Sequence, residues 1–197
     1  MKNPLYPRRL SPIELERERA VHEEIKEFGI QNFQIDLWAL ENLVTHQRIE
    51  TVVEIGSWCG ESAKIMADAG ATVFCIDHWQ GSEGDPTKEA VQRHGSDKIF
   101  KTFLANIDFR FMRSIFIGRG DSLWWAKMWP FPVDMVYIDA DHRYEAVIAD
   151  IVSWRRHVKE GGILAGHDYG TFPGVTRAVD EIGKDGVLGM SVWWKQM

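Results

Sequence analysis

Short apolar runs recur along the chain, and a polar turn and then a segment of helical spacing follow most of them. Val52, Val53 and Ile55, interrupted by Glu54, predict a first strand buried on both faces. Comparable runs at Ala71 to Ile76, Ser114 to Gly118, Val133 to Ile138 and Ile163 to Ala165 predict four more. Between them, Glu61 to Ala69 predicts a helix stopped by Gly70, and Ser96 or Asp97 can cap another that reaches Asn106. Tyr144, Val147, Ile148, Ile151 and Val158 share one helical face that Gly161-Gly162 ends, with Arg155, Arg156 and Lys159 in the last turns. Gly174 to Ile182 predicts a further helix, and Val187 to Lys195 suffices for a small hairpin or one strand. Strands alternating with helices predict an α/β chain: a Rossmann-like, doubly wound, mostly parallel sheet with helices on both faces and a short antiparallel C-terminal strand or hairpin.

Upstream of this pattern the chain has a different character. Residues 1–10 carry two prolines and three basic residues and predict a poorly ordered arm. Ser11-Pro12-Ile13-Glu14 is a capping box with proline at the first helical position, and it opens a charged helix that stops near Gly29. A second helix from about Ile35 to His46 carries Ile35, Trp38 and Leu43 on its apolar side. The expected organisation is therefore an accessory segment, 1–47, outside the catalytic sheet, and a ligand-binding region, 48–197. Residues 78–95 are polar, glycine-bearing and too long for an ordinary connection, which predicts a lid.

Composition narrows the partner. With 197 residues, 45% of them hydrophobic, the chain has enough material for one structural domain. A net charge of −6 offers no electrostatic footprint for nucleic acid or an anionic membrane. No run approaches the length of a membrane span, and MKNPLYPRRL lacks a signal-peptide core. Cys59 and Cys75 have neither metal-site nor redox-pair spacing, so they suggest reduced residues in a cytoplasmic protein. A small-molecule partner fits this balance.

The chemistry gathers at strand ends. Gly56 and Gly60 bracket Ser57, Trp58 and Cys59 in a tight loop between the first strand and its helix, where backbone can approach a ligand closely. Asp77 ends the second strand, at the place where an acid accepts hydrogen bonds from ribose hydroxyls, with His78 beside it. Asp121 or Ser122 caps the helix after the third strand. The fourth and fifth strands run into Asp139-Ala140-Asp141-His142 and His167-Asp168-Tyr169. Because strands one and four flank the switch point of such a sheet, Gly56 and Asp139 should line one crevice. Acids crowded at neighbouring strand ends call for a cation to offset their repulsion, or else they cap local turns.

The spacing E-x-G-x-x-x-G at Glu54, Gly56 and Gly60 matches neither the dinucleotide fingerprint nor a P-loop. It resembles the first motif of class I S-adenosylmethionine-dependent methyltransferases. With IDHWQG, VYIDADHRYE and GGILAGHDY following in order, the stretch from Thr51 to Trp194 resembles their small-molecule and sugar O-methyltransferases, relatives of the catechol and macrocin enzymes. The resemblance implies S-adenosylmethionine held by Glu54, Gly56, Ser57, Trp58, Gly60, Asp77, His78, Asp121, Ser122 and Asp139, with Asp121 at the adenine edge. It further implies Mg2+ or Mn2+ on Asp139 and Asp168, with His167 where relatives carry an oxygen ligand. Asp141, His167 and His142 are then the catalytic candidates, and the acceptor is a hydroxylated small molecule. Of the many tryptophans, a few would stack on a ligand and the rest would fill the core or contacts in a homo-oligomer. Two other classes fit parts of the pattern: a metal-dependent hydrolase built on D-x-D-H and H-D, and a non-catalytic S-adenosylmethionine-binding domain.

Overall fold

The computed structural model describes residues 11–29, 34–107 and 111–197; the expected N-terminal arm lies outside them. The first helix, α1 (Pro12–Glu27), opens with the full capping box: Glu14 N–H donates to Ser11 Oγ and Ser11 N–H to Glu14 Oε2. After α2 (Gln34–His46) come β1 (Thr51–Ile55), α3 (Glu61–Asp68), β2 (Thr72–Asp77), α4 (Pro86–His94), α5 (Ser96–Ile107), β3 (Ile115–Arg119) and α6 (Ser122–Met128). The chain closes with β4 (Val133–Ile138), α7 (Tyr144–Trp154), β5 (Val158–Gly166), α8 (Pro173–Ile182), β6 (Gly186–Leu188) and β7 (Val192–Gln196).

The sheet order is β3-β2-β1-β4-β5-β7-β6. The first five of these strands run parallel, and β7 pairs antiparallel with both β5 and β6, forming the C-terminal hairpin. Successive strands step outward from β1 to β3, and the chain then crosses back to place β4 on the other side of β1. That reversal opens a crevice at the carboxyl ends of β1 and β4. A core fills each face: Val52, Met135, Tyr137 and Ile163 on one, Val53, Val136, Ile138 and Leu164 on the other. Such two-sided burial is why these strands are near-continuous apolar runs.

Two expected boundaries move. The helix foreseen through Val158 stops at Trp154, and a 3-10 turn, Arg155–His157, leads directly into β5. Val158 pairs with Val133, and the register shifts before Met135 meets Ile163. Gly161, at φ +75°, lies within that irregularity, so the glycine pair forms a strand bulge instead of a helix stop. Likewise the 78–95 connection is not open chain throughout, because its second half is α4. Asp85 caps that helix by accepting from Thr87 N–H at 2.8 Å, with Pro86 at the first helical position.

The N-terminal helices pack as part of the main body. Val21, Ile25 and Phe28 of α1 and its end, and Leu40, Leu43 and Val44 of α2, join the core that contains β1 and β4 residues. Asp36 of α2 is buried at 2% exposure, in phase with Leu40 and Leu43.

Candidate functional site

Two adjoining cavities lie over the carboxyl ends of the strands. The larger, of about 360 Å³, runs from Gly56 and Trp58 past Asp77 and His78 to Asp121, Ser122 and Asp150. The smaller, of about 250 Å³, is walled by Ser57, Gly60, Asp85, His142, His167, Asp168 and Phe172. Gly56, Trp58, Thr87, Asp139 and Ala140 line both.

Local backbone geometry explains the shared wall. At Gly56 φ is +86°, and a Cβ there would overlap Asp139 O and lie 2.7 Å from Ala140 Cα. Only glycine lets the β1 and β4 loops meet so closely. Beyond the loop, Trp58 N–H donates to Asp77 Oδ2 (2.9 Å) and Trp79 N–H to Oδ1 (2.6 Å). Trp79 Nε1–H donates to Trp58 O. Trp58 and Trp79 both sit at positive φ, an unusual conformation for a side-chain-bearing residue. Asp77, expected at the ribose hydroxyls, therefore also locks the glycine loop, and each of its oxygens keeps a further lone pair for a ligand hydroxyl.

At the far end, Asp121 caps α6 by accepting Trp124 N–H. Ser122 Oγ donates to Asp150 Oδ1 at 2.5 Å and accepts from Trp154 Nε1–H. Burial pushes Asp150 up to about 6. Glu54 stands apart from the other expected cofactor residues, because it is fully buried beneath the loop and lines neither cavity. Ser62 Oγ donates to its Oε1 at 2.5 Å, and burial raises its carboxyl to about 7. Its role is to support the loop from below.

The smaller cavity holds an interlocked set of acids and imidazoles. His142 bonds Asp85 through Nδ1 and Asp168 through Nε2, the latter at 2.9 Å, and its ring stacks on Phe172. His167 lies with Nδ1 3.3 Å from Asp168 Oδ1 and 3.8 Å from Asp139 Oδ1. Burial alone would lower both imidazoles; the acids around them prevail, raising His142 to about 10 and His167 to about 9. Asp168 responds in the opposite sense, since bonds from the two rings outweigh its burial and hold it well below the ordinary carboxylate range. Burial keeps Asp139 above its usual value, with the His167 ring pulling the other way. Asp168 is also at φ +65°, strained backbone of the kind that gathers at functional sites.

Two expected roles change with this geometry. Asp141 is held by its neighbour: Arg143 Nη2 donates to Oδ2 at 2.6 Å and Arg143 N–H to Oδ1, and of these two cavities the residue lines the larger. Among the described residues, the atoms that converge closely enough for one cation belong to Asp139, His142 and Asp168, within 4.8 Å of one another. His167, expected with the two acids, is not in that converging set, and His142 is. Asp36 and Asp85 went unforeseen. A buried acid in phase with an apolar stripe was the available signal for Asp36, and the Asp-Pro helix start was the one for Asp85.

Residues 53–169 match a family described as a methyltransferase domain. The chain belongs to this methyltransferase family. A mimivirus relative from Acanthamoeba polyphaga mimivirus, Uncharacterized protein R132, is 31% identical over 173 residues, covering 80% of this chain and 71% of its own. Among solved structures, the methyltransferase PaMTH1 of Podospora anserina, bound to S-adenosylhomocysteine (SAH), superposes with a TM-score of 0.65 at 10% identity, over 95% of this chain and 89% of that one. The O-methyltransferase of Bacillus cereus, also in complex with SAH, gives 0.62 at 14% identity, over 97% and 91%. The fold of this methyltransferase is accordingly the class I, S-adenosylmethionine-dependent one. No helix among its described residues is long and apolar enough to cross a membrane.

Proposed function

We propose that this methyltransferase transfers the methyl group of S-adenosylmethionine to a hydroxyl of a small molecule, with the cofactor in the larger cavity and the acceptor in the smaller. The observation that carries the reading is the wall common to the two cavities, formed by Gly56, Asp139 and Ala140. A methyl donor and its acceptor need such an arrangement: two separate compartments that open onto each other at one point. Asp77 suits the ribose hydroxyls, and Asp121, Ser122 and His78 suit the nucleoside end. Gly56 and Trp58, on the shared wall, suit the methionine end, with Ser57 and Gly60 of the same loop on the acceptor side, and positioning an acceptor against an already activated methyl is worth several powers of ten in rate.

Proton removal falls to the acid and imidazole cluster. Asp139 borders both cavities, and its raised carboxyl brings it nearer the pH at which a general base works best. His167 is beside it, while Arg143 occupies Asp141. A second reading, metal assistance, is favoured by the convergence of Asp139, His142 and Asp168. Asp85 on the outer nitrogen of His142 is the kind of partner that orients a metal-binding imidazole. These residues fit a divalent cation, and the nitrogen donor suits manganese, iron or zinc better than magnesium. When bound, a cation would lower the pKa of the acceptor hydroxyl. The two free, buried cysteines fit a reducing compartment such as the cytoplasm.

The test is calorimetry with S-adenosylmethionine and SAH, followed by labelled-methyl transfer to a panel of sugars, catechols and other hydroxylated metabolites. Tight binding of both ligands and transfer to an oxygen are expected, and Asp168→Asn should lose most turnover at unchanged cofactor affinity. Excess chelator separates the two proton-removal readings: turnover persists with Asp139 as base and stops if a cation is required. A folded wild-type protein that binds neither ligand overturns the proposal.

A further inference from the structure

Asp36 lies on α2, upstream of the family-matched span, yet it sits directly behind His167, which walls the smaller cavity. Its Oδ1 accepts from Met190 N–H at 2.5 Å and from Ser191 N–H at 3.3 Å. Its Oδ2 lies 3.1 Å from Ser191 Oγ and 3.1 Å from His167 Nε2. The hairpin turn is shaped around this carboxylate: Gly189 adopts φ +60°, and a Cβ there would overlap Asp36 Oδ1. Burying a carboxylate at 2% exposure is costly unless every lone pair is used well. A tie between α2 and the hairpin needs only Oδ1 and the two backbone amides. The second oxygen is committed to His167 and to Ser191 Oγ, which itself lies 3.1 Å from the same ring nitrogen.

That commitment orients the ring. With Nε2 turned to Asp36, Nδ1 faces the Asp168 and Asp139 carboxylates on the cavity floor. We propose that Asp36 is the positioning residue for His167, accepting its Nε2–H and thereby fixing which nitrogen the ring presents to the acceptor cavity. The acceptor site is then supported from behind by two segments outside the family-matched 53–169 span, the α2 helix and the β6–β7 turn. The catalytic consequence rests on the methyltransferase reading above; the ring geometry does not.

The direct test is nitrogen-15 NMR of the histidine rings in the full-length protein with SAH added, at neutral pH, with His167→Gln used to assign the signals. Wild-type His167 should show a protonated Nε2 in slow exchange. Asp36→Asn preserves shape but turns an amide NH2 toward Nε2, so two donors would oppose each other. The ring should respond by giving up the Nε2 proton and keeping the one on Nδ1. Ser191→Ala, which leaves the carboxylate in place, should retain the wild-type signature. With an acceptor found in the panel, Asp36→Asn should lower kcat at least tenfold while KM for S-adenosylmethionine stays unchanged, because Asp36 lines neither cavity. A wild-type ring with bare Nε2, or an unchanged ring in folded Asp36→Asn, overturns the proposal. The wild-type spectrum decides even if the variant does not fold. Failure of the wild type to bind S-adenosylmethionine or SAH would sink the methyltransferase reading and leave the ring signature to be judged by itself.

Discussion

Glu54→Gln isolates the energetic consequence of placing an acid under the glycine loop. Glu54 has no exposed surface, its Oε2 has no hydrogen-bond partner among the described residues, and only Ser62 Oγ donates to Oε1. Burial raises its carboxyl from the ordinary 4.5 to about 7, partly offset by the Ser62 hydroxyl. Between those two values the folded protein holds a proton that the unfolded chain has released. Stability must therefore fall as pH rises from about 4.5 to about 7, and the full penalty persists above that range. At about 1.36 kcal/mol per pKa unit, the shift corresponds to ~3 kcal/mol. Glutamine is neutral throughout and mimics the protonated acid, so its advantage over the wild type should grow by ~2.5 kcal/mol between pH 5 and pH 8, the remainder of the shift being already present at pH 5. Urea unfolding followed by tryptophan fluorescence across that range measures the difference directly. Asp139, Asp150, His142 and His167 also shift, but they are common to both proteins and largely cancel in the comparison. Cofactor affinity should survive, since Glu54 lines neither cavity. Stability curves that run parallel from pH 5 to pH 8 would refute the buried-acid argument.

Asp77→Ala should weaken S-adenosylmethionine binding at least tenfold, about 1.4 kcal/mol, through loss of a charge-assisted bond and of the Trp58 and Trp79 amide anchors; equal calorimetric affinity in a folded variant would remove the ribose assignment. Gly56→Ala should cost about 2–4 kcal/mol of stability and abolish cofactor binding, because the new methyl group overlaps Asp139 O at a residue held at φ +86°; thermal melting and calorimetry check both, and a variant that melts and binds like the wild type would contradict the close approach of the two loops.

The sequence by itself determined whatever depends on local pattern. Continuous apolar runs marked the parallel strands, the Ser11 capping box and its proline marked the start of α1, and alternation of such runs with segments of helical spacing implied a doubly wound sheet. From that topology alone, Gly56 and Asp139 were expected to share a crevice, and they share a wall. Tertiary structure decided what depends on pairing across the chain. Whether Gly161-Gly162 ends a helix or bulges a strand turns on Val158 finding Val133, a contact that no local window contains. Glu54 and Asp77 sit at neighbouring strand ends with similar sequence surroundings. Only the packing shows that one is sealed under the loop at zero exposure while the other borders the cavity. The roles of the histidines were equally hidden, because a ring is defined by both its nitrogens. His142 and His167 each join an acid on the cavity floor to one supplied from elsewhere, Asp85 from the α4 start and Asp36 from α2. Long-range placement of buried charge is governed by the need to pair it, and the sequence names the charges without saying which of them meet.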